Sequence, residues 1–180
     1  MRLPTSVLTS SNNLLELLNS ASHKLTDQNN LTVFYEITLD EAWHENLATT
    51  IAAISQHNQQ TGHHNGFKLR CGGVIASAFP TAEQIAHTLL LCRDHQVPFK
   101  ATAGLHHPIR HYNDNVQTKM HGFVNVFGAG ILAHVHHLTH KQTIAILNDE
   151  DPLHFDFTES HFVWKNLSVT SKQIIPIRQN

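Results

Sequence analysis

Two hydrophobic periods take turns along the chain. In "LTVFYEITL" (31–39) β-branched and aromatic residues crowd together as they do in a strand. Over 41–59 the positions Leu47, Ile51 and Ile54, continued by Asn58, recur at helical spacing, and Asp40 stands where an N-cap belongs. The same succession then returns. "FKLRCGGV" (67–74) reads as a strand ended by two glycines. "FPTAEQ" opens a helix in which Thr81 and Gln84 have capping-box spacing and Ile85, Leu89 and Cys92 mark the inward face. "VPFKATAG" (97–104) is the next strand. Ahead of this train, Leu14, Leu17 and Leu18 give residues 5–23 a modest helical stripe, and polar residues at 27–30 end it as a linker.

The strands contain a repeat. Tyr35-Glu36-Ile37-Thr38, Phe67-Lys68-Leu69-Arg70 and Phe99-Lys100-Ala101-Thr102 share the order aromatic, charged, apolar, polar, and Glu36, Lys68 and Lys100 lie 32 residues apart, twice over. A strand, a helix and two short loops fill that length, so the segment is a train of βα units with parallel strands and right-handed crossovers. Side chains alternate along a strand. Glu36 and Thr38 therefore share a face, as do Lys68 and Arg70, and Lys100 and Thr102, while Phe67, Leu69, Phe99 and Ala101 turn toward the helices. The polar residues gather near the carboxyl ends of the strands, the edge at which α/β barrels and open α/β sheets bind ligands.

Beyond Gly104 the pattern changes. Residues 105–122 form a long polar loop at that edge, of a length that is usually functional. A helix over 122–140 carries Phe123, Phe127, Ile131, Val135 and Leu138 in one stripe, with Gly128 and Gly130 implying close packing against a neighbour. "KQTIAILN" is a further short helix, "LHFDFTESHFVW" (153–164) alternates as strand, turn and strand, and the last residues are helical until Pro176. The organisation expected is one α/β domain over 1–180: an N-terminal helix and linker (1–30), parallel βα repeats (31–104), the edge loop (105–122), and helices with a β-hairpin (123–180).

Composition narrows the class. The chain has 180 residues, 41% hydrophobic, enough for a sizeable core, and only 14% charged, with Asn, Gln, Ser, Thr and 17 histidines in place of the missing charges. A net charge of −2 argues against nucleic acid and anionic membranes as partners. Cys71 and Cys92 are too few for a disulfide framework and fit a reducing compartment. The first residues lack a signal-peptide core, and no stretch approaches the ~20 apolar residues of a membrane span. The expectation is a soluble, cytoplasmic protein.

The strand-end cluster carries the chemistry. Lys68, Arg70 and Lys100 face one carboxylate, Glu36, with Thr102 on the same face and His106 and His107 just beyond. A structural ion-pair layer explains one lysine, but burying the other cations uncompensated would cost several kcal/mol. An anion-binding pocket accounts for them. Gly72, Gly73 and Gly104 let backbone N–H groups approach a phosphate or carboxylate there. Lys100 is also a candidate Schiff-base amine if desolvation and Lys68 lower its basicity. A metal is the other possibility: in "HVHHLTH", His136 and His140 fall one helical turn apart, though no acid accompanies them as in HExxH, and abundant histidine elsewhere weakens the signal. Cys71 turns to the helix layer and reads as a packed thiol, and Trp43 and Trp164 as core or interface anchors.

Lys100, Thr102 and Gly104 locally resemble the strand that carries the Schiff-base lysine of class I deoxyribose-phosphate aldolases, over five residues. A broader resemblance runs through "KLRCGG", "FP", "VPFKATAGLHHPIRHY" and "MHGFVNVFGAGILA", over about residues 31–180. These segments are similar, in the same order, to a family of largely uncharacterised bacterial proteins. The resemblance implies a TIM-barrel-like α/β protein with Lys68, Arg70, Gly72, Gly73, Lys100, Thr102, Gly104, His106, His107 and Pro108 in one shared motif and His121 and Gly122 in a second. It supplies no activity. Cys71 stands where the pattern has threonine, and family members extend further at both ends. A closed barrel needs at least about 200 residues. The expected sheet is therefore partial: a divergent short form, an open layer, or one completed in a homo-oligomer.

The sequence thus points to a lyase-, aldolase- or isomerase-type enzyme for a small anionic, phosphorylated or carboxylated, carbonyl compound. Lys68 and Arg70 would hold the anion, helped by Gly72, Gly73, Thr102, Gly104 and His121; Lys100 would polarise or capture the carbonyl; Glu36 and His106 or His107 would move protons. This reading requires no cofactor. Its rivals are an anion-binding or regulatory module without turnover, and a histidine-dependent enzyme using a divalent metal.

Overall fold

In the computed structural model the chain is described over residues 1–8, 10–26 and 32–178. The linker expected at 27–30, and Leu31 at the start of the first predicted strand, lie outside the described residues. The architecture is mixed α/β with a small parallel sheet of three strands, and the described residues form no closed barrel. Contacts divide the chain into two compact units, Met1–Leu69 with Leu91–Lys100 and Arg70–Leu90 with Ala101–Asn180.

The first unit is built on α1 (Ser11–Thr26), β1 (Phe34–Tyr35) and α2 (Trp43–Thr61), and it includes most of β2 (Gly66–Arg70) and the first half of β3 (Phe99–Thr102). α1 packs on α2 through buried Leu14 and Leu18, against a core of Tyr35, Leu47, Ile51 and Ile54. The predicted strand 31–39 is shorter than its composition suggests. Only Phe34 and Tyr35 pair with β2, and Glu36 instead bridges Arg2 in parallel, through Leu3 N–H to Glu36 O (2.8 Å) and Glu36 N–H to Met1 O (2.9 Å). Asp40 does not cap α2. Its carboxylate accepts from Ala42 N–H (3.2 Å) in a turn two residues ahead, and Ala42 occupies the cap position. Asn58, last in the predicted stripe, closes the next connection. Its side chain bonds both the N–H (3.0 Å) and the carbonyl (2.8 Å) of Asn65, whose own Oδ1 accepts from Val33 N–H (3.1 Å).

The 32-residue repeat is the register of the sheet. Phe34 lies opposite Gly66 and Tyr35 opposite Phe67. Across the next pair, Phe67 N–H donates to Pro98 O (2.8 Å) and Cys71 N–H to Thr102 O (2.7 Å), a constant offset. Burial alternates as expected along β2, where Phe67 and Leu69 are buried and Arg70 is exposed. Glu36, expected on the open face, is instead buried beside Tyr35 and Ile37, and Phe99 and Ala101, expected to turn to the helices, are only half-buried.

The second unit contains most of α3 (Ala82–Asp94), whose Thr81–Gln84 capping box forms with both bonds near 3 Å. The predicted edge loop is largely a hairpin, β4 (His111–Asn113) paired antiparallel with β5 (Thr118–Met120). α4 (Phe123–His136) follows, with Gly128 beneath the Phe162 ring and Gly130 beside Leu89. This close packing is what the glycines implied. α5 (His140–Leu147) begins at Thr139 with a full capping box. The C-terminal strands number three: β6 (Phe155–Phe157), β7 (His161–Trp164) and the unpredicted β8 (Leu167–Thr170) make an antiparallel sheet that packs on α4 through β8. α6 (Ser171–Arg178) runs through Pro176 instead of ending before it. Among the described residues no helix is long and apolar enough to cross a membrane.

Candidate functional site

In the first unit, the sheet register sets Glu36 beside Lys68, and Oε2 and Nζ are 2.5 Å apart. The pair is asymmetric in burial, with the carboxylate side chain 10% exposed and the lysine 29%. Phe34, two residues before Glu36, lies across Gly66. A Cβ at Gly66 would run into that ring and stand 2.6 Å from the Pro98 carbonyl, so only glycine fits. The exposed Lys100 holds Nζ 5.5 Å from the centre of the same ring, a cation–π contact. The acid and the two amines of the repeat thus resolve into an internal ion pair and a separate solvated cation. Lys68 has its counter-charge, and Lys100 and Arg70 are exposed, so the desolvation cost invoked from sequence is not incurred.

In the second unit, the carboxyl ends of β2 and β3 meet backbone to backbone. Ala103 and Gly104 are consecutive left-handed residues, at φ +60° and +68°. A Cβ on Gly104 would stand 2.5 Å from Cys71 O, and one on Gly72 would stand 2.7 Å from Gly104 Cα and 2.8 Å from the Phe79 ring. Gly73 is similarly close to Ala78. Arg70 lies exposed at this junction, its Nε donating to Gly72 O at 2.9 Å, and Thr102 is half-buried. Cys71 is buried, and burial pushes its thiol up to about 12, which fits a packing role.

His106 and His107 are exposed, and the His107 ring meets His111 edge-on at 4.2 Å. The carbonyls of His107 and Pro108 accept the N–H groups of Phe123 and Val124, both at 2.9 Å, fastening this loop to the first turn of α4. His121, expected to face a ligand, is instead buried with both ring nitrogens engaged. Nε2–H donates to Pro80 O (2.7 Å), which leaves Nδ1 to accept from Arg110 Nη1 (3.0 Å). Burial is the main cause that pulls its imidazole down to about 4; the Pro80 bond opposes this and Arg110 adds to it. The sequence reading did not single out Asn125. This fully buried amide accepts from Arg110 N–H and donates to the Ile146 and Asp149 carbonyls, all at 2.8 Å. It lies on the face that α4 buries, with Val126, Ala129 and Leu132, and not on the predicted stripe, whose Phe123 and Phe127 are exposed. A lone amide inside an apolar helix was the available signal.

The proposed histidine pair does not form. α4 stops at His136, His137 turns left-handed (φ +50°), and Thr139 starts a new helix, so His136 and His140 do not share one helical face. His136 Nε2 bonds Ser168 O (2.9 Å) and His140 Nε2 approaches Glu83 O (3.4 Å). Among the described residues no three His, Cys, Asp or Glu side chains gather as a metal site requires. No protein-family model matches the chain, and no curated protein or solved structure is found to resemble it.

Proposed function

We propose that the protein binds a small anion, the phosphate or carboxylate of a metabolite, where β2 and β3 end in the second unit. The observation that carries this reading is the strained Ala103–Gly104 turn pressed against Cys71–Gly72 beside an exposed arginine. Holding alanine in the left-handed region costs on the order of 1–2 kcal/mol, and such strain concentrates at ligand sites. Gly72 and Gly104 let the two strand ends close on each other backbone to backbone, and Arg70, steadied through Nε, offers a charged fork at that edge. The edge is the one parallel α/β sheets use for ligands.

Binding without turnover is the reading these positions support. A lyase, aldolase or isomerase step would need Lys100 desolvated and Glu36 free, yet Lys100 stands in solvent and Glu36 is held by Lys68. Titration with inorganic phosphate, a triose phosphate and a short keto acid, against chloride at equal ionic strength, tests it. At least one should raise the melting temperature and shift the amide resonances of 102–107, and Arg70→Gln should abolish both effects. An unchanged response in Arg70→Gln, or no response to any of the three, would refute the site. Borohydride trapping of the keto acid on Lys100 would restore the enzymatic reading.

A further inference from the structure

The first unit holds a serine–histidine–asparagine relay that the anion site does not use. Asn19 and Ser22 lie one turn apart on α1, and His57 faces them from α2. His57 is completely buried, its Nε2 2.9 Å from Ser22 Oγ and its Nδ1 2.9 Å from Asn19 Oδ1. An amide oxygen can only accept, so Nδ1 carries the ring proton and Nε2 turns its lone pair to the serine hydroxyl. That is the tautomer of a general base poised on a nucleophile, with a third group orienting the base. Burial, with a smaller contribution from His63, lowers the His57 pKa below the ordinary 6.5 and so favours the neutral ring; the His63 ring stacks on it at 5.8 Å. Ser22 is 8% exposed, and the buried Tyr35 hydroxyl is its neighbour.

We propose that Ser22 is an activated nucleophile that accepts acyl groups from small activated esters, with His57 as its base and Asn19 as the residue positioning the ring. Ser22 Oγ bonds to the ester carbonyl carbon as its proton passes to His57 Nε2. The carbon–oxygen bond to the leaving alcohol breaks, and the alcohol departs with that proton. Water then attacks the acyl-serine with the same base, releasing the acid and restoring Ser22. A cluster that only satisfies buried groups between two helices would have the same distances and no reactivity.

The full-length protein is treated with p-nitrophenyl acetate and, separately, with a fluorophosphonate, and the adduct is located by peptide mass. One adduct per chain is expected on the peptide carrying Ser22, absent in Ser22→Ala. His57→Gln should slow labelling about 100-fold or more, the usual worth of a positioned base. Asn19→Asp should label faster than Asn19→Ala. The rate should fall in acid as His57 takes up a proton. Ser22→Cys keeps the size and should label through sulfur if the alanine variant misfolds. No adduct on Ser22, equal labelling of a folded Ser22→Ala, or wild-type labelling of a folded His57→Gln would overturn the proposal, as would an unreactive folded Ser22→Cys.

Discussion

Asp149 sits at the end of α5 and gathers four donors. His154 Nδ1 (2.9 Å), Asp151 N–H (3.1 Å), Lys165 Nζ (3.1 Å) and Trp164 Nε1 (2.9 Å) all reach its carboxylate. Burial alone would raise the carboxyl; the donors outweigh it and hold it at about 2, below the ordinary 3.8. His121 in the same unit is lowered from 6.5 to about 4. Both groups are depressed in the fold, so each adds stability above its ordinary value that is lost as pH falls toward its folded value. Unfolding free energy should therefore drop in two acid steps, between pH 6.5 and 4 on the order of 3 kcal/mol from His121, and between about 4 and 2 on the order of 2 kcal/mol from Asp149. Denaturant midpoints across pH, compared for wild type, His121→Gln and Asp149→Asn, measure each step. A variant retaining the slope assigned to its own residue would contradict the assignment. His57 in the first unit shifts in the same direction as His121 and adds to the upper step.

At the scale of elements, the β2–β3 junction depends on one glycine. Gly104→Ala forces a side chain onto left-handed backbone and into the Cys71 carbonyl, and neither neighbour is a flexible side chain. Gly62→Ala, which shares the positive φ but has nothing within 4 Å, should lose only the backbone strain of about 1–2 kcal/mol in chemical denaturation, and Gly104→Ala should lose clearly more. Equal losses would mean that strain, and not the close approach, sets the requirement. These contacts explain what could be read from sequence. The repeat of Glu36, Lys68 and Lys100 was visible because strand register and residue spacing are the same quantity in a train of βα units. Thr81 with Gln84, and the helix over 43–61, announced themselves through capping and periodicity. The break after His136 did not, because histidine and leucine in "HVHHLTH" satisfy helical spacing, and the left-handed residue that closes α4 there, with its N–H on Ala133 O, is His137 and not the glycine or asparagine that usually marks such a turn. The relay on Ser22 escaped notice for a related reason: its members are 35 residues apart on two helices, and only the packing of α1 on α2 brings them together.

The molecule as a whole is organised by how often its chain changes unit. It passes from the first to the second after Leu69, back after Leu90, and across again after Lys100. The sequence, read as one α/β domain, contained no composition shift or linker at these points, since the crossings fall inside β2, α3 and β3. They also divide the residues proposed from sequence: Glu36, Lys68 and Lys100 belong to the first unit, and Arg70, Gly72, Gly73, Thr102, Gly104, His106, His107 and His121 to the second. A fragment of residues 1–69 lacks buried Cys92 and Val97 and the Pro98 carbonyl that receives Phe67 N–H. It should melt without a cooperative transition in circular dichroism, and a sharp two-state melt would show that the inserted stretch is dispensable. Interleaving of this kind has a consequence for heredity and for engineering alike. A recombination joint that exchanges one contiguous stretch delivers neither body intact, so the two are inherited together, and any chimaera must be spliced at three places to work.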